Sequence, residues 1–212
     1  MKTHIKAITG SRAYGLATAE SDNDWAEVFS PSPDQFYGFP SYEERRQEIS
    51  PDGTSDVNYW SARSLVIALY AGNHLAHELL YTEKYEADLI GRKIIDFARN
   101  QLYSAALGKR LLAFSKAMLN NFQRTKDFKQ LSHAYRASCY LEELLLEGRF
   151  HTFLSTENEK ICRSILHEKD IHYILGTRNK LDFLAQGLEG LKLPDFNLYN
   201  DFCIKIHKEI YS

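Results

Sequence analysis

The sequence lacks most of the features that would place a chain in a specialised class. It has only three cysteines, Cys139, Cys162 and Cys203. They are odd in number and far apart, and none forms a CxxC pair. This argues against a disulfide framework or a zinc-finger pattern and fits free thiols in a reducing cytoplasm. No apolar run approaches the roughly 18–20 residues of a membrane span. Met1 to Ile5 carries no long apolar stretch and no small-residue cleavage site, so a secretory signal is not expected. Basic excess is also missing. The formal net charge is −2 and the pI is near 6.4, so any nucleic-acid substrate would need a local patch of cations. Internal repeats, low-complexity tracts and long linkers are absent.

What remains is ordinary globular composition. The chain has 212 residues, 44% of them hydrophobic and 25% charged. That is enough for one large domain or two small ones sharing an interface.

The chain changes character near Asp56. Before it, segments are short and broken by Gly, Pro, Ser and Asp. Lys6 to Thr9 reads as a strand ending at Gly10. Trp25 to Phe29 alternates apolar and polar residues, as a half-buried strand does, and Ser30-Pro31-Ser32-Pro33 stops it. Tyr42 to Ile49 is either an exposed strand or an irregular arm. Asp56 to Trp60 reads as a strand entered through the Pro51-Asp52-Gly53 turn. After Trp60 the pattern is helical. Ser61 caps a helix over 62–71 that Gly72-Asn73 ends. Further helices are expected at about 74–81, 85–103, 105–123, 129–147, 157–166, 170–188 and 197–210. Ala134, Tyr135, Leu141, Leu144 and Leu145 keep the spacing of a buried helical face. The expected fold is therefore α+β: a small mixed sheet with helices over residues 1–83, then an all-helical domain over 84–212.

The chemistry concentrates between Thr9 and Trp25. Gly10 allows close approach of backbone to a ligand. Amides at a turn leading into a helix favour phosphate, and the Ser11 hydroxyl adds a hydrogen bond. Asp22 and Asp24 are one residue apart, so on a strand both project from one face. Like charges this close repel unless a cation joins them, and hard oxygen ligands suit Mg²⁺ or Mn²⁺. If the strand beginning at Asp56 pairs beside the one bearing Asp24, a third carboxylate joins them. Three carboxylates can hold two metals for an in-line displacement. Asp56 also has a plain explanation as a turn residue. His133 and Arg136 share a helix face and could meet nucleotide phosphates or an acceptor backbone, or simply pack between helices. Arg12, Arg45 and Arg46 are either counter-charges for a triphosphate or solvated surface arginines. His74, His77 and Glu78 have no zinc-like spacing and read as core or capping residues. The many Tyr and Phe residues fit packing first, with base stacking as the alternative.

At these residues the sequence resembles a known family. Gly10-Ser11, Asp22-x-Asp24 and a distant Asp56 resemble the GS…DxD…D signature of DNA polymerase beta-like nucleotidyltransferases. The longer string from Gly10 to Asp24 is similar to the RlaP-type nucleotidyltransferases of bacteria and phages. Asp56-Val57, Gly72-Asn73 and His77-Glu78-Leu79-Leu80 resemble that family's second block, with His74 where a proline is expected. Ser132-His133-Ala134-Tyr135-Arg136 through Gly148 resembles its later helical block. The resemblance spans residues 4 to about 150. It implies a polymerase beta-like core and an enzyme that moves an NMP from an NTP to a hydroxyl acceptor, releasing pyrophosphate. The acceptor would be an RNA end, a protein side chain or a small molecule. In that reading Gly10, Ser11, Arg12, His133 and Arg136 hold nucleotide, and Asp22, Asp24 and Asp56 bind Mg²⁺ or Mn²⁺. The alternative is a nucleotide-binding interaction module, antitoxin-like, with little turnover.

Overall fold

The computed structural model describes residues 1–38, 41–101 and 105–212. Five strands form one mixed sheet: β1 (Lys2–Ile8), β2 (Asn23–Ser30), β3 (Arg45–Ile49), β4 (Ser55–Ser61) and β5 (Tyr85–Ala87). Their spatial order is β3-β4-β2-β1-β5. β2 and β4 run parallel, and every other pair is antiparallel. In the parallel pair Asp24 lies opposite Asp56, Ala26 opposite Asn58 and Val28 opposite Trp60. Alternation then sends Asp24, Ala26 and Val28 to the same face as Asp56, Asn58 and Trp60.

Among the described residues, two short helices lie between the first three strands, α1 (Gly10–Tyr14) and α2 (Pro33–Tyr37). Eight longer ones follow: α3 (Ala62–Tyr70), α4 (His74–Tyr81), α5 (Leu89–Asn100), α6 (Ala105–Thr125), α7 (Phe128–Leu146), α8 (Thr156–Arg163), α9 (Tyr173–Gly187) and α10 (Phe196–Tyr211). Side-chain caps fix most of their starts. Ser61, Asn73, Asp88, Asp127, Ser155 and Asp195 each accept a hydrogen bond from a first-turn amide. Such a cap stabilises its helix by about 1 kcal/mol.

Two apolar cores result. On the sheet side Ile5, Ala7, Ala26 and Val28 pack against Leu65, Leu69, Leu79 and Leu80. Ile94 and Ile95 of α5 and Tyr199 and Ile206 of α10 complete that core. The C-terminal helix thus returns to the sheet half of the molecule. The other core joins Leu107, Leu111 and Phe122 of α6 to Leu131, Tyr140, Leu141 and Leu144 of α7 and Leu184 of α9. No helix among the described residues is long and apolar enough to cross a membrane.

The α+β class and the order of sheet then helices match the sequence reading. Some elements differ. The helix expected over 85–103 starts late, because Tyr85–Ala87 pairs with β1 as an edge strand, Ala87 opposite Ile5. Asp88 then caps α5 and also bonds the His4 imidazole at 3.0 Å. Residues 102–104, at the far end of that expected helix, lie outside the described residues. The segment from Tyr42 to Ile49 forms a strand only over Arg45–Ile49, at the exposed edge of the sheet. The helix expected over 157–166 ends at Arg163 and passes into a wider π-type turn over Ser164–Glu168.

Candidate active site

The site is built where β1, β2 and β4 end or begin together. β1 stops at Ile8, and Thr9 donates its amide to the Asp24 carbonyl at 2.9 Å. The chain then turns through Gly10, whose φ of +64° few other residues adopt. A Cβ on Gly10 would lie 1.8 Å from Asp24 Oδ2. Glycine is required here because the Asp24 carboxylate lies directly on its backbone. Asp22 precedes β2 by one residue and is exposed, so it leads into the strand rather than sitting on it. Arg12 fixes that approach. Its Nε donates to the Asp22 carbonyl at 3.1 Å and a terminal nitrogen to the Ser21 carbonyl at 2.8 Å. The structure therefore places Arg12 under the acidic loop, where the sequence reading had set it against phosphate.

Asp24 and Asp56 stand side by side across β2 and β4. Burial pushes the Asp24 carboxyl above its ordinary range, and the charges of Asp22 and Asp56 push the same way. Lys129 and Arg12 oppose them. Asp56 is held by Gln47 of β3, whose Nε2 donates to Oδ2 at 2.5 Å. Its Oδ1 is buried with no hydrogen-bond partner, and so is Ser11 Oγ. Buried polar atoms are nearly always paired, so two unpaired ones beside clustered carboxylates fit a ligand-binding site. Asp22 and Asp56 are close enough for their charges to act on Asp24, yet the three do not form a closed cage. Among the described residues no group of three or more His, Cys, Asp or Glu side chains makes a metal cluster.

A hollow of about 170 Å³ opens beside Asp24, walled by Gly10, Tyr14, Asn58, Trp60 and Glu78. Behind it lies a buried polar knot. Glu78 of α4 accepts from Arg136 at 2.6 Å and from the Tyr14 hydroxyl at 2.7 Å. The Arg136 guanidinium also stacks 3.6 Å over the Tyr14 ring. Both ends are fully enclosed, with side-chain exposures of 4% and 3%. The expectation that Arg136 meets nucleotide is thus corrected. It ties α7 to α4 and to α1, directly behind the Gly10-Ser11 turn. Arg136 holds the Glu78 carboxyl below its ordinary range despite complete burial.

His133, one turn earlier on α7, is half-buried. Burial brings its pKa down to about 4, helped by the charges of Arg136 and Lys129. It is therefore neutral at pH 7 and can offer a hydrogen bond but no charge. His77 is buried and its Nδ1 meets the Asn73 carbonyl at 2.9 Å, a packing and capping role as the sequence suggested. Arg45 and Arg46 point to opposite faces of β3. Arg45 lies 4.0 Å over Trp60 on the site face, whereas Arg46 lies over Tyr59 and pairs with Glu48 at 3.1 Å.

Three residues in this arrangement escape sequence reasoning. Gln47 and Glu78 act through partners distant in sequence. Lys129, exposed in the first turn of α7, looks like any surface lysine until the fold brings its charge within reach of Asp24.

A family model named RlaP, the RNA repair pathway DNA polymerase beta family, matches residues 2–168. That span covers the whole sheet, the carboxylates and the helices through α8. No curated protein matches the chain. With the sheet, the Gly10-Ser11 turn and the Asp24–Asp56 pair all inside the matched span, the chain belongs to the RlaP family of polymerase beta-like nucleotidyltransferases.

Proposed function

We propose that the chain transfers a nucleoside monophosphate from an NTP to a hydroxyl acceptor and releases pyrophosphate. The observation that carries this reading is the Asp24–Asp56 pair beside two polar atoms without partners, Ser11 Oγ and Asp56 Oδ1. Clustered carboxylates repel unless a cation joins them, and an all-oxygen donor set suits Mg²⁺ or Mn²⁺. Asp22, Asp24 and Asp56 would hold it. When bound, such an ion supplies positive charge that offsets the charge building on the attacking and leaving oxygens.

The chain's own groups account for the rest. The Ser11 hydroxyl donates to a phosphate oxygen, and Gly10 keeps the turn close to Asp24. Lys129 adds positive charge from across the cleft, where it favours an anionic triphosphate and the charge that develops during transfer. His133 offers a neutral hydrogen bond to the nucleotide. Asp56, oriented by Gln47, faces the incoming hydroxyl. As the acceptor oxygen bonds to the α-phosphorus, the bond from that phosphorus to pyrophosphate breaks, and the acceptor proton passes to Asp56 Oδ1. The knot of Tyr14, Glu78 and Arg136 holds the turn rigid, which matters because misplacement by about 1 Å costs on the order of a hundredfold in rate.

The test is incubation with each labelled NTP, Mg²⁺ and total cellular RNA or protein. Label in one fraction together with released pyrophosphate supports the reading. Nucleotide bound without release of pyrophosphate in any mixture contradicts it.

A further inference from the structure

The carboxylate hollow borders a larger one. Arg45, Trp60 and Leu75 line both, and beyond them a hollow of about 680 Å³ is walled by His74 of α4 and by Arg110 and Phe114 of α6. This second hollow meets the sheet at Arg45 and Trp60, the paired ends of β3 and β4, four residues along β4 from Asp56. None of its walls comes from the Gly10-Ser11 turn, β1 or β2. If the triphosphate rests at that turn, the larger hollow lies on the acceptor's side.

Its chemistry is specific. The rings of His74 and Phe114 stand 4.4 Å apart, tilted by 41°, and Trp60 lies under the Arg45 guanidinium at 4.0 Å. Burial keeps His74 below its ordinary range, so its ring is a neutral surface. Among the described residues neither Arg45 nor Arg110 belongs to an ion pair, and both are exposed. The acid at the rim, Glu44, is already paired with Arg63 at 2.6 Å. Aromatic planes interleaved with unpaired arginines suit a strand that offers flat bases and phosphates in alternation. They suit an acidic or apolar peptide less well, since neither uses both. In a chain of net charge −2, such cations must be local to act on nucleic acid.

We infer that this hollow seats the end of a single-stranded RNA acceptor. Its terminal bases lie against Phe114 and His74, its phosphates meet Arg45 and Arg110, and its terminal hydroxyl extends through the smaller hollow, past Asn58, toward Asp56. The inference rests on the transferase reading of the carboxylates and on the RNA repair description of the matched family.

The experiment measures anisotropy of a short fluorescein-labelled single-stranded oligoribonucleotide with the full chain, in EDTA and without NTP. Wild type is compared with Phe114→Leu, Arg110→Gln and Asp24→Asn, with thermal melts as folding controls. Calorimetry with a non-hydrolysable NTP analogue and Mg²⁺ runs in parallel. Phe114→Leu and Arg110→Gln should each weaken oligoribonucleotide binding by about tenfold while leaving analogue binding within about twofold. Asp24→Asn should keep the oligoribonucleotide. Arg110 is exposed, so its variant remains informative if Phe114→Leu fails to fold. Unchanged oligoribonucleotide affinity in both hollow variants overturns the inference. So does loss of analogue binding in its place, which would make the hollow the seat of the donor base. No measurable oligoribonucleotide binding by wild type, with label passing to protein, overturns it as well. Binding in the hollow without any turnover by wild type defeats only the transferase reading. Turnover on RNA that the hollow variants do not alter defeats only this one.

Discussion

Gly10→Ala probes the contact on which the site rests. Gly10 has φ of +64°, and an L-residue in the left-handed region costs about 1–2 kcal/mol. The new Cβ would stand 1.8 Å from Asp24 Oδ2, 2.6 Å from its Cγ and 2.9 Å from its Cβ. To reach ordinary contact the carboxylate must retreat by roughly 1.5 Å, leaving its preferred rotamer at about 0.5–1.5 kcal/mol. The variant should therefore lose about 1.5–3.5 kcal/mol in urea unfolding. In an Asp24→Ala background the clashing oxygen and Cγ are gone. Gly10→Ala should then cost only the backbone strain, about 1–2 kcal/mol, plus the remaining tight contact with the residue's Cβ. The double-mutant cycle should show a coupling of about 0.5–1.5 kcal/mol. Turnover by Gly10→Ala should fall by about a hundredfold, because the displaced group is the carboxylate proposed to hold the metal. Additive stability costs, together with wild-type turnover by Gly10→Ala, would refute the claim that this glycine exists to admit Asp24.

Other outcomes follow from the same geometry. The Asp24 carboxyl is raised by burial and by its acidic neighbours, so its neutral form is favoured on folding. Its destabilising effect is absent well below the ordinary carboxylate range and appears as pH rises through the raised folded value. Without metal, Asp24→Asn should melt at or above wild type at neutral pH, the gap closing in acid, and it should abolish transfer. Ser11→Ala should weaken NTP use by about 1.5–3 kcal/mol, one hydrogen bond to a charged group, read from kcat/KM. Arg136→Met leaves the Glu78 carboxylate buried and unpaired and should cost about 3–5 kcal/mol in urea unfolding. Adding Glu78→Leu should restore much of it. Asp56→Asn should retain binding of a non-hydrolysable NTP analogue, by calorimetry, while losing turnover.

The local parts of this molecule are readable in its sequence, and the distant contacts are not. The Gly10-Ser11 turn and the two nearby carboxylates sit within one stretch of chain, where turn chemistry applies directly, although Asp22 leads into β2 and only Asp24 lies on it. The placement of Asp56 opposite Asp24 needed a parallel pairing of β2 and β4, which the sequence allowed but did not require. β5 was hidden because three residues, Tyr85–Ala87, show no alternation, and only the free edge of β1 makes them a strand. Had β3 been assigned, alternation alone would have separated Arg45 from Arg46. Glu78 and Arg136 are 58 residues apart. A buried pair at that separation leaves no local signature, so the helix-face argument left Arg136 open between ligand and packing, and only the contact with Glu78 decides for packing.

The central claim is that Asp22, Asp24 and Asp56 carry a metal-dependent transfer of NMP. The most direct measurement is pyrophosphate release from α-labelled NTP with Mg²⁺ and cellular RNA, by wild type and by Asp22→Ala, Asp24→Asn and Asp56→Asn. Wild type should release pyrophosphate and move label to the acceptor, and EDTA or any of the three substitutions should stop both. Undiminished transfer by the Asp24→Asn and Asp22→Ala variants, or nucleotide held by wild type with no pyrophosphate released, would contradict it.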